Sequence, residues 1–264
     1  MNVLAFDTAT DAIALALGRR EGDAVTVVAQ ADQLARRAAL SLLLPAVREL
    51  LGARGLAPGD IDAVVVGRGP GSFTGARIGV ASAKGLAHGL GVPLFGVNTL
   101  DAVAWGLVGT DRPARVSGLV GVVGDAMRGE VYPALFRASE GRVERLTPER
   151  VCRPDDAARD FAAAAHPVTL VGDGLAKYLD VFERELHGRC AIAEEPLWRP
   201  SGAGVLAAFA AALVRGDEGD GDPAALLPVY TRLSDAEENE RARAGAGAQV
   251  PPSGVGGNPD GGAS

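Results

Sequence analysis

Apolar residues along this chain come in two textures, short continuous runs and stripes at helical spacing. Val3–Thr8 and Ala12–Gly18 are strand-like runs on either side of the link Ala9-Thr10-Asp11, which predicts a hairpin. Ala24–Ala29 adds a third strand. Leu34–Leu51 has helical spacing, with Leu40, Leu44, Val47 and Leu51 on one stripe, and Pro45 is expected to kink or split it. Ile61–Gly67 reads as a short apolar strand, Ser72–Leu90 as a helix and Pro93–Val97 as a strand. Asn98 or Thr99 can cap a helix through Leu107.

The second half repeats this order. Val116–Val123 and Val131–Arg137 form a predicted hairpin around Asp125-Ala-Met-Arg-Gly129, with Arg142–Leu146 as a third strand. Then come a helix at Asp155–Ala165, a strand at Val168–Val171, a helix at Leu175–Leu186 and a strand near Cys190–Ala193. Ser201 can cap an Ala-rich helix to Arg215. Such a duplicated order predicts two similar α/β lobes with a cleft between them. The expected lobes are 1–98, completed by the segment 201–233, and 99–200. Gly216–Asp222 is an acidic link and Leu226–Leu233 an apolar, aromatic segment expected to dock. Residues 234–264 end in Gly, Ala and Pro with few large apolar side chains, which predicts a mostly disordered tail.

Composition narrows the class. A chain of 264 residues that is 47% hydrophobic can bury one large core or two small ones. Its formal net charge of -7, without a dense Lys/Arg run, disfavours gripping nucleic acid directly. Cys152 and Cys190 are far apart and form no Cys-x-x-Cys, which fits a reducing compartment. No signal-peptide pattern opens the chain and no apolar run reaches membrane-spanning length, so a soluble cytoplasmic protein is expected.

The densest chemistry lies in Gly67-Arg-Gly-Pro-Gly-Ser-Phe-Thr-Gly-Ala-Arg-Ile-Gly79. Gly69 and Gly71 suit a tight turn, Ser72 can cap the next helix, and free N–H groups there suit a phosphate. The loop lacks the Gly-Lys-Ser/Thr of a phosphate-binding loop. Asp7 and Thr8 end the first strand; they either carry a metal-phosphate site or hydrogen-bond the turn, and Ala9 stands where a phosphate loop favours glycine. Asp125 and Arg128 occupy the matching hairpin. Gly172-Asp173-Gly174, after a strand and before a helix, faces a nucleotide or forms an ordinary turn. On the helix after the glycine loop, Gly75, Gly79, Ser82, Leu86 and Gly89 share one face. Glycine costs about 1 kcal/mol against alanine inside a helix, so this face needs close approach, by a partner or by the protein's own core. Phe73, Ala76, Val80, Ala83, Ala87 and Leu90 form a second stripe, expected on the protein's own sheet. The three histidines fall in unrelated segments and make no metal motif, and Ser72 is not in a Gly-x-Ser-x-Gly elbow.

Five segments taken together resemble the TsaB (YeaZ) family: Leu4–Thr10, Gly67–Gly79, Gly96-Val-Asn-Thr-Leu100, Asp125–Tyr132 and Pro228-Val-Tyr-Thr-Arg232. The resemblance implies the duplicated ribonuclease-H-like α/β fold of actin, Hsp70 and acetate kinase. It also implies a role in bacterial synthesis of N6-threonylcarbamoyladenosine on tRNA. That role is a non-catalytic subunit that dimerises with TsaD, helps recruit TsaE, forms a homodimer when alone and meets tRNA only through the complex. No cofactor is required by it; ATP or ADP at the complex interface is a candidate ligand. The implied partner contact uses the first two helices, here Leu40, Leu44, Val47, Ser72, Gly75, Gly79, Ser82 and Leu86. The family often has a histidine where this chain has Ala39. The competing expectation is an ATP-dependent phosphotransferase or ATPase using Asp7.

Overall fold

A computed structural model describes residues 1–108, 116–139 and 141–229. Strand β1 (Asn2–Asp7) is buried at every position after the first, as a central strand covered on both faces must be. It runs antiparallel to β2 (Ala12–Glu21), which pairs with β3 (Ala24–Gln30) and with the short β4 (Gln33–Leu34). Helix α1 (Ala39–Gly52) leads to β5 (Ala63–Gly67), parallel to β1. Helix α2 (Phe73–Leu90) leads to β6 (Leu94–Val97), parallel to β5, and α3 (Thr99–Val108) follows.

The second sheet repeats the plan with β7 (Gly118–Asp125), β8 (Val131–Ser139), β9 (Arg142–Arg145), α4 (Pro154–Ala162), β10 (Val168–Val171), α5 (Leu175–Leu186) and β11 (Cys190–Ile192). Helix α6 (Gly202–Arg215) closes the order. The strands run β3-β2-β1-β5-β6 in the first sheet and β11-β10-β7-β8-β9 in the second. Read from matching ends, these are one topology twice: an antiparallel three-strand meander extended by two parallel strands. This is the duplicated ribonuclease-H-like fold of the actin type.

Period-two alternation decides which core each strand serves. Leu4 and Phe6 of β1 face a cluster with Leu43 and Val47 of α1 and Val80 and Ala83 of α2. Val3 and Ala5 face the opposite cluster with Val205, Leu206 and Phe209 of α6. Helices α1 and α2 therefore cover one face of the first sheet, and α6 the other. Helix α3 links the sheets, with Ala102 in the first sheet's core and Leu100, Val103 and Leu107 in the second's. The segment after α6 closes the β6 edge: Gly221 accepts from the Leu94 amide (2.9 Å) and Val229 donates to Arg68 (2.8 Å). The expectation for residues 234–264, and for 230–233 of the docked segment, lies outside the described residues.

Several expectations change. Gln33 and Leu34 belong to a strand, and α1 begins at Ala39. Pro45 does not split α1, which stays one 14-residue helix. Pro45 is exposed, so the carbonyl it deprives of a partner can meet water. The buried positions of α1 are Ala39, Leu43, Val47, Leu50 and Leu51. Val47 is thus core rather than surface, while Leu40 is 74% and Leu44 50% exposed. Phe73 is 45% exposed, off the inner stripe, under the Arg77 guanidinium at 3.7 Å from its ring centroid.

Candidate functional site

The glycine motif seats the first hairpin tip. An added Cβ at Gly67 would fall on the Asp7 carboxylate, one at Gly71 on the Ala9 carbonyl, and one at Gly75 on the Thr8 carbonyl. One at Gly79 would stand 2.5 Å from the Thr8 hydroxyl. Gly75 and Gly79 therefore face inward, a correction to their expected place on a partner surface. Hydrogen bonds fix the same seam. The Thr8 hydroxyl donates to the Gly75 carbonyl (2.7 Å), and the Ser72 amide donates to the Ala9 carbonyl (2.6 Å). Ser72 Oγ caps α2 by accepting from the Gly75 amide (3.2 Å). Two of the amides at this helix start are thereby engaged, that of Ser72 by the hairpin tip and that of Gly75 by the cap.

Asp7 is sealed behind this seam. It is 0% exposed, accepts from the Ala9 amide (2.6 Å) and the Thr99 hydroxyl (2.5 Å), and Thr99 in turn accepts from the Gly69 amide (3.0 Å). Burial raises its pKa, against the lowering effect of the Thr99 and Ala9 hydrogen bonds. Of the two readings open for Asp7, these bonds match the turn-bonding one: each carboxylate oxygen has an internal donor, and Asp7 is not among the residues that line the cavity in front of it.

That cavity, of about 630 Å³, lies between the two sheets' loops. Thr8, Thr10 and Asp11 of the first tip line it, with Arg36 and Arg37 from the turn into α1, Ser72, Thr74 and Ile78 from α2, and Asp125, Met127 and Asp173 from the second lobe. Gly69, Gly71, Gly172 and Gly174 lie outside this lining, as does Arg128, exposed at the second tip. The second lobe repeats the glycine logic: Gly172, at φ +123°, comes against the Val123 carbonyl, which accepts from the Gly174 amide (2.9 Å).

The second tip is held by carboxylates. Asp173 accepts from the Asp125 amide (2.9 Å), Asp125 accepts from the Met127 amide (3.0 Å), and Lys177 pairs with Asp125. Burial pushes the Asp173 carboxyl up to about 6; the Asp125 amide bond opposes this, while the Asp125 and Asp11 charges add to it. The hydrogen bond to Arg199 (2.5 Å) holds Asp11 below the usual carboxylate range, against partial burial.

Comparisons with known proteins place this geometry. The family model described as TsaD, tRNA N6-adenosine threonylcarbamoyltransferase, matches residues 31–238. A Bacillus subtilis protein named tRNA threonylcarbamoyladenosine biosynthesis protein TsaB is 31% identical over 240 residues, covering 90% of this chain and 96% of the relative. The chain belongs to the TsaB family. The Escherichia coli TsaB is 41% identical over 143 residues, 54% of this chain and 58% of its own. A Pseudomonas aeruginosa crystal structure, described as similar to the peptidase YeaZ, superposes with a TM-score of 0.70 at 29% identity, covering 88% of this chain and 99% of that one.

In this TsaB-family chain the outer faces of α1 and α2 carry what the seam leaves over. Leu40 and Leu44 project from α1, and Ala81 and Gly85 are exposed on α2; nothing lies within 4 Å of a Cβ added at Gly85. Ser82 and Leu86 are half-buried, Leu86 against the core. Sequence reading missed Thr99, Arg36, Arg37, Asp11 and Arg199 as site residues. Arg199 meets Asp11 across 188 positions, a pairing no local pattern carries.

Proposed function

We propose that this chain is the non-catalytic scaffold and dimerisation subunit of bacterial tRNA N6-threonylcarbamoyladenosine synthesis, binding TsaD and helping to recruit TsaE in the cytoplasm. The observation that carries the reading is the exposed apolar face of α1, Leu40 and Leu44, together with the small exposed residues Ala81 and Gly85 of α2, a helix that covers the same face of the first sheet. Large apolar side chains beside a small-residue helix surface favour a partner helix at close range. The chain also matches the family model of its proposed partner, and two chains of one fold can pair through equivalent helices, as a homodimer alone and as a heterodimer with the paralogue. The net charge of -7 supports leaving the tRNA phosphates to partners.

Neither enzymatic reading finds support in the site. A phosphotransferase would need Asp7 at the cavity, and Asp7 is sealed. A peptidase would need a nucleophile beside a base, whereas Ser72 Oγ caps α2 and His88, His166 and His187 are exposed on separate elements. The test is a reconstituted tRNA modification assay with TsaD and TsaE. Omission of this chain is expected to abolish threonylcarbamoyl transfer, and the chain alone is expected to hydrolyse neither ATP nor peptide. Full transfer without it, or metal-dependent ATP turnover by the isolated chain that Asp7→Asn removes, would refute the proposal.

A further inference from the structure

The interlobe cavity has its two lining arginines on the first lobe, with Asp11 near Arg36, and only carboxylates among its charged groups on the second. Arg36 and Arg37, between β4 and α1, form the basic wall; Asp125 and Asp173, from the ends of β7 and β10, form the acidic one. Thr10 and Thr74 supply hydroxyls between them, and Ile78 and Met127 supply apolar surface. Two of these residues sit in a backbone region that non-glycine residues rarely adopt: Arg37 at φ +60° and Met127 at φ +62°. One stands on each wall. Strained residues that face one cavity from opposite sides are a feature of ligand clamps.

Asp173 adds a separate indication. An asparagine would accept the Asp125 amide hydrogen bond equally well and would avoid a buried negative charge beside two other carboxylates. A carboxylate there makes sense when a cation arrives to meet it. The charged groups that face it are Asp125, Asp11, Arg199 and Lys177. Arg199 is already engaged by Asp11 and Glu195, and Lys177 by Asp125, so neither compensates Asp173 directly. A phosphate ligand is the poorer fit, because three carboxylates, Asp11, Asp125 and Asp173, line the cavity and the Ser72 and Gly75 amides of the α2 start are engaged.

We propose that the cavity binds a zwitterionic ligand of the short-peptide class, its ammonium set against Asp173 and its carboxylate against Arg36 and Arg37. A volume of about 630 Å³ falls within the range that encloses drug-sized ligands and is roomier than a free amino acid requires. The site is separate from the outer face of α1 and α2 and does not depend on the scaffold reading.

The test is calorimetric titration of the full chain with the tripeptide Ala-Leu-Ala in three forms: zwitterionic, N-acetylated and C-amidated. The zwitterion is expected to bind saturably. Acetylation is expected to weaken binding at least about tenfold, as is Asp173→Asn, and the two losses should not add because they delete the same contact. Amidation and Arg36→Ala should behave as a second such pair. With Asp173 titrating near 6, lowering the pH from 7.5 to 5 leaves about a tenth of it ionised and should weaken the zwitterion about tenfold, while the acetylated peptide is insensitive to that step. If a variant fails to fold, the blocked peptides and the pH series on the unmodified chain decide alone. Absence of saturable binding by the zwitterion, or equal affinity of all three peptides, would overturn the proposal.

Discussion

Gly79 and Gly85 sit on one helix, and the same substitution to alanine should move stability in opposite directions. At Gly79 the new methyl would stand 2.5 Å from the Thr8 hydroxyl and 3.6 Å from a Val66 methyl. The Thr8 hydroxyl cannot retreat without breaking its 2.7 Å bond to the Gly75 carbonyl, a buried contact. Alanine gains about 1 kcal/mol of helix propensity. Against this stand the buried Thr8 hydroxyl left without its acceptor, at about 1–3 kcal/mol, and overpacking, at about 1–3 kcal/mol. The net result for Gly79→Ala is destabilisation by about 1–5 kcal/mol. At Gly85 nothing lies within 4 Å of the new atom, so Gly85→Ala keeps the propensity gain and stabilises by about 0.5–1 kcal/mol. Urea unfolding by circular dichroism reads both; with a slope of about 1–3 kcal/mol/M the two midpoints should separate by about 0.5 M or more. Thr8→Ala should be sub-additive with Gly79→Ala, since either change ends the same hydrogen bond. A Gly79→Ala variant as stable as the parent would refute the seam between the hairpin tip and α2.

Three further outcomes follow from the charged groups. Asp173 titrates near 6 when folded against 3.8 unfolded, so the folded state binds the extra proton and stability falls as pH rises through that window, by up to about 3 kcal/mol; Asp173→Asn should flatten this slope in pH-dependent urea unfolding. Asp7→Ala strands the Ala9 amide and the Thr99 hydroxyl in a fully buried spot and should cost about 2–4 kcal/mol in thermal unfolding. Arg199→Ala removes the partner that lowers the Asp11 pKa, a contribution fully present above about pH 4 and lost progressively as pH falls through the lowered folded pKa, so the variant should lose about 1 kcal/mol at pH 7 and less at strongly acid pH.

The element order was legible because periodicity is a local property. β10, α5 and α6 begin and end where their runs and caps indicate, with Ser201 capping α6 through the Gly204 amide (3.0 Å). The phase of α1 was not, because Leu40, Leu43, Leu44 and Leu51 offer several stripes of equal apolarity, and only the sheet beneath selects Leu43 over its neighbours. The glycines of α2 signalled close approach correctly but not its object. A bare Cα fits a partner helix and a buried hairpin tip equally well, and the choice depends on where Thr8 lies, 67 residues from its hydrogen-bond acceptor Gly75. Asp7 illustrates the same limit: an acid at a hairpin tip reads equally as a ligand or as a turn-bonding residue, and the Thr99 hydroxyl on its carboxylate comes from 92 residues away.

The central claim is that the outer face of α1 and α2 docks TsaD, and titration calorimetry of this chain with purified TsaD tests it most directly. Leu40→Asp with Leu44→Asp replaces two exposed side chains that support no core, so the urea midpoint should stay within about 0.5 kcal/mol of the parent. TsaD affinity should fall at least about a hundredfold, as burying two unpaired carboxylates in a helix–helix contact requires. Unchanged affinity of the double variant for TsaD, with its fold intact, would contradict the account.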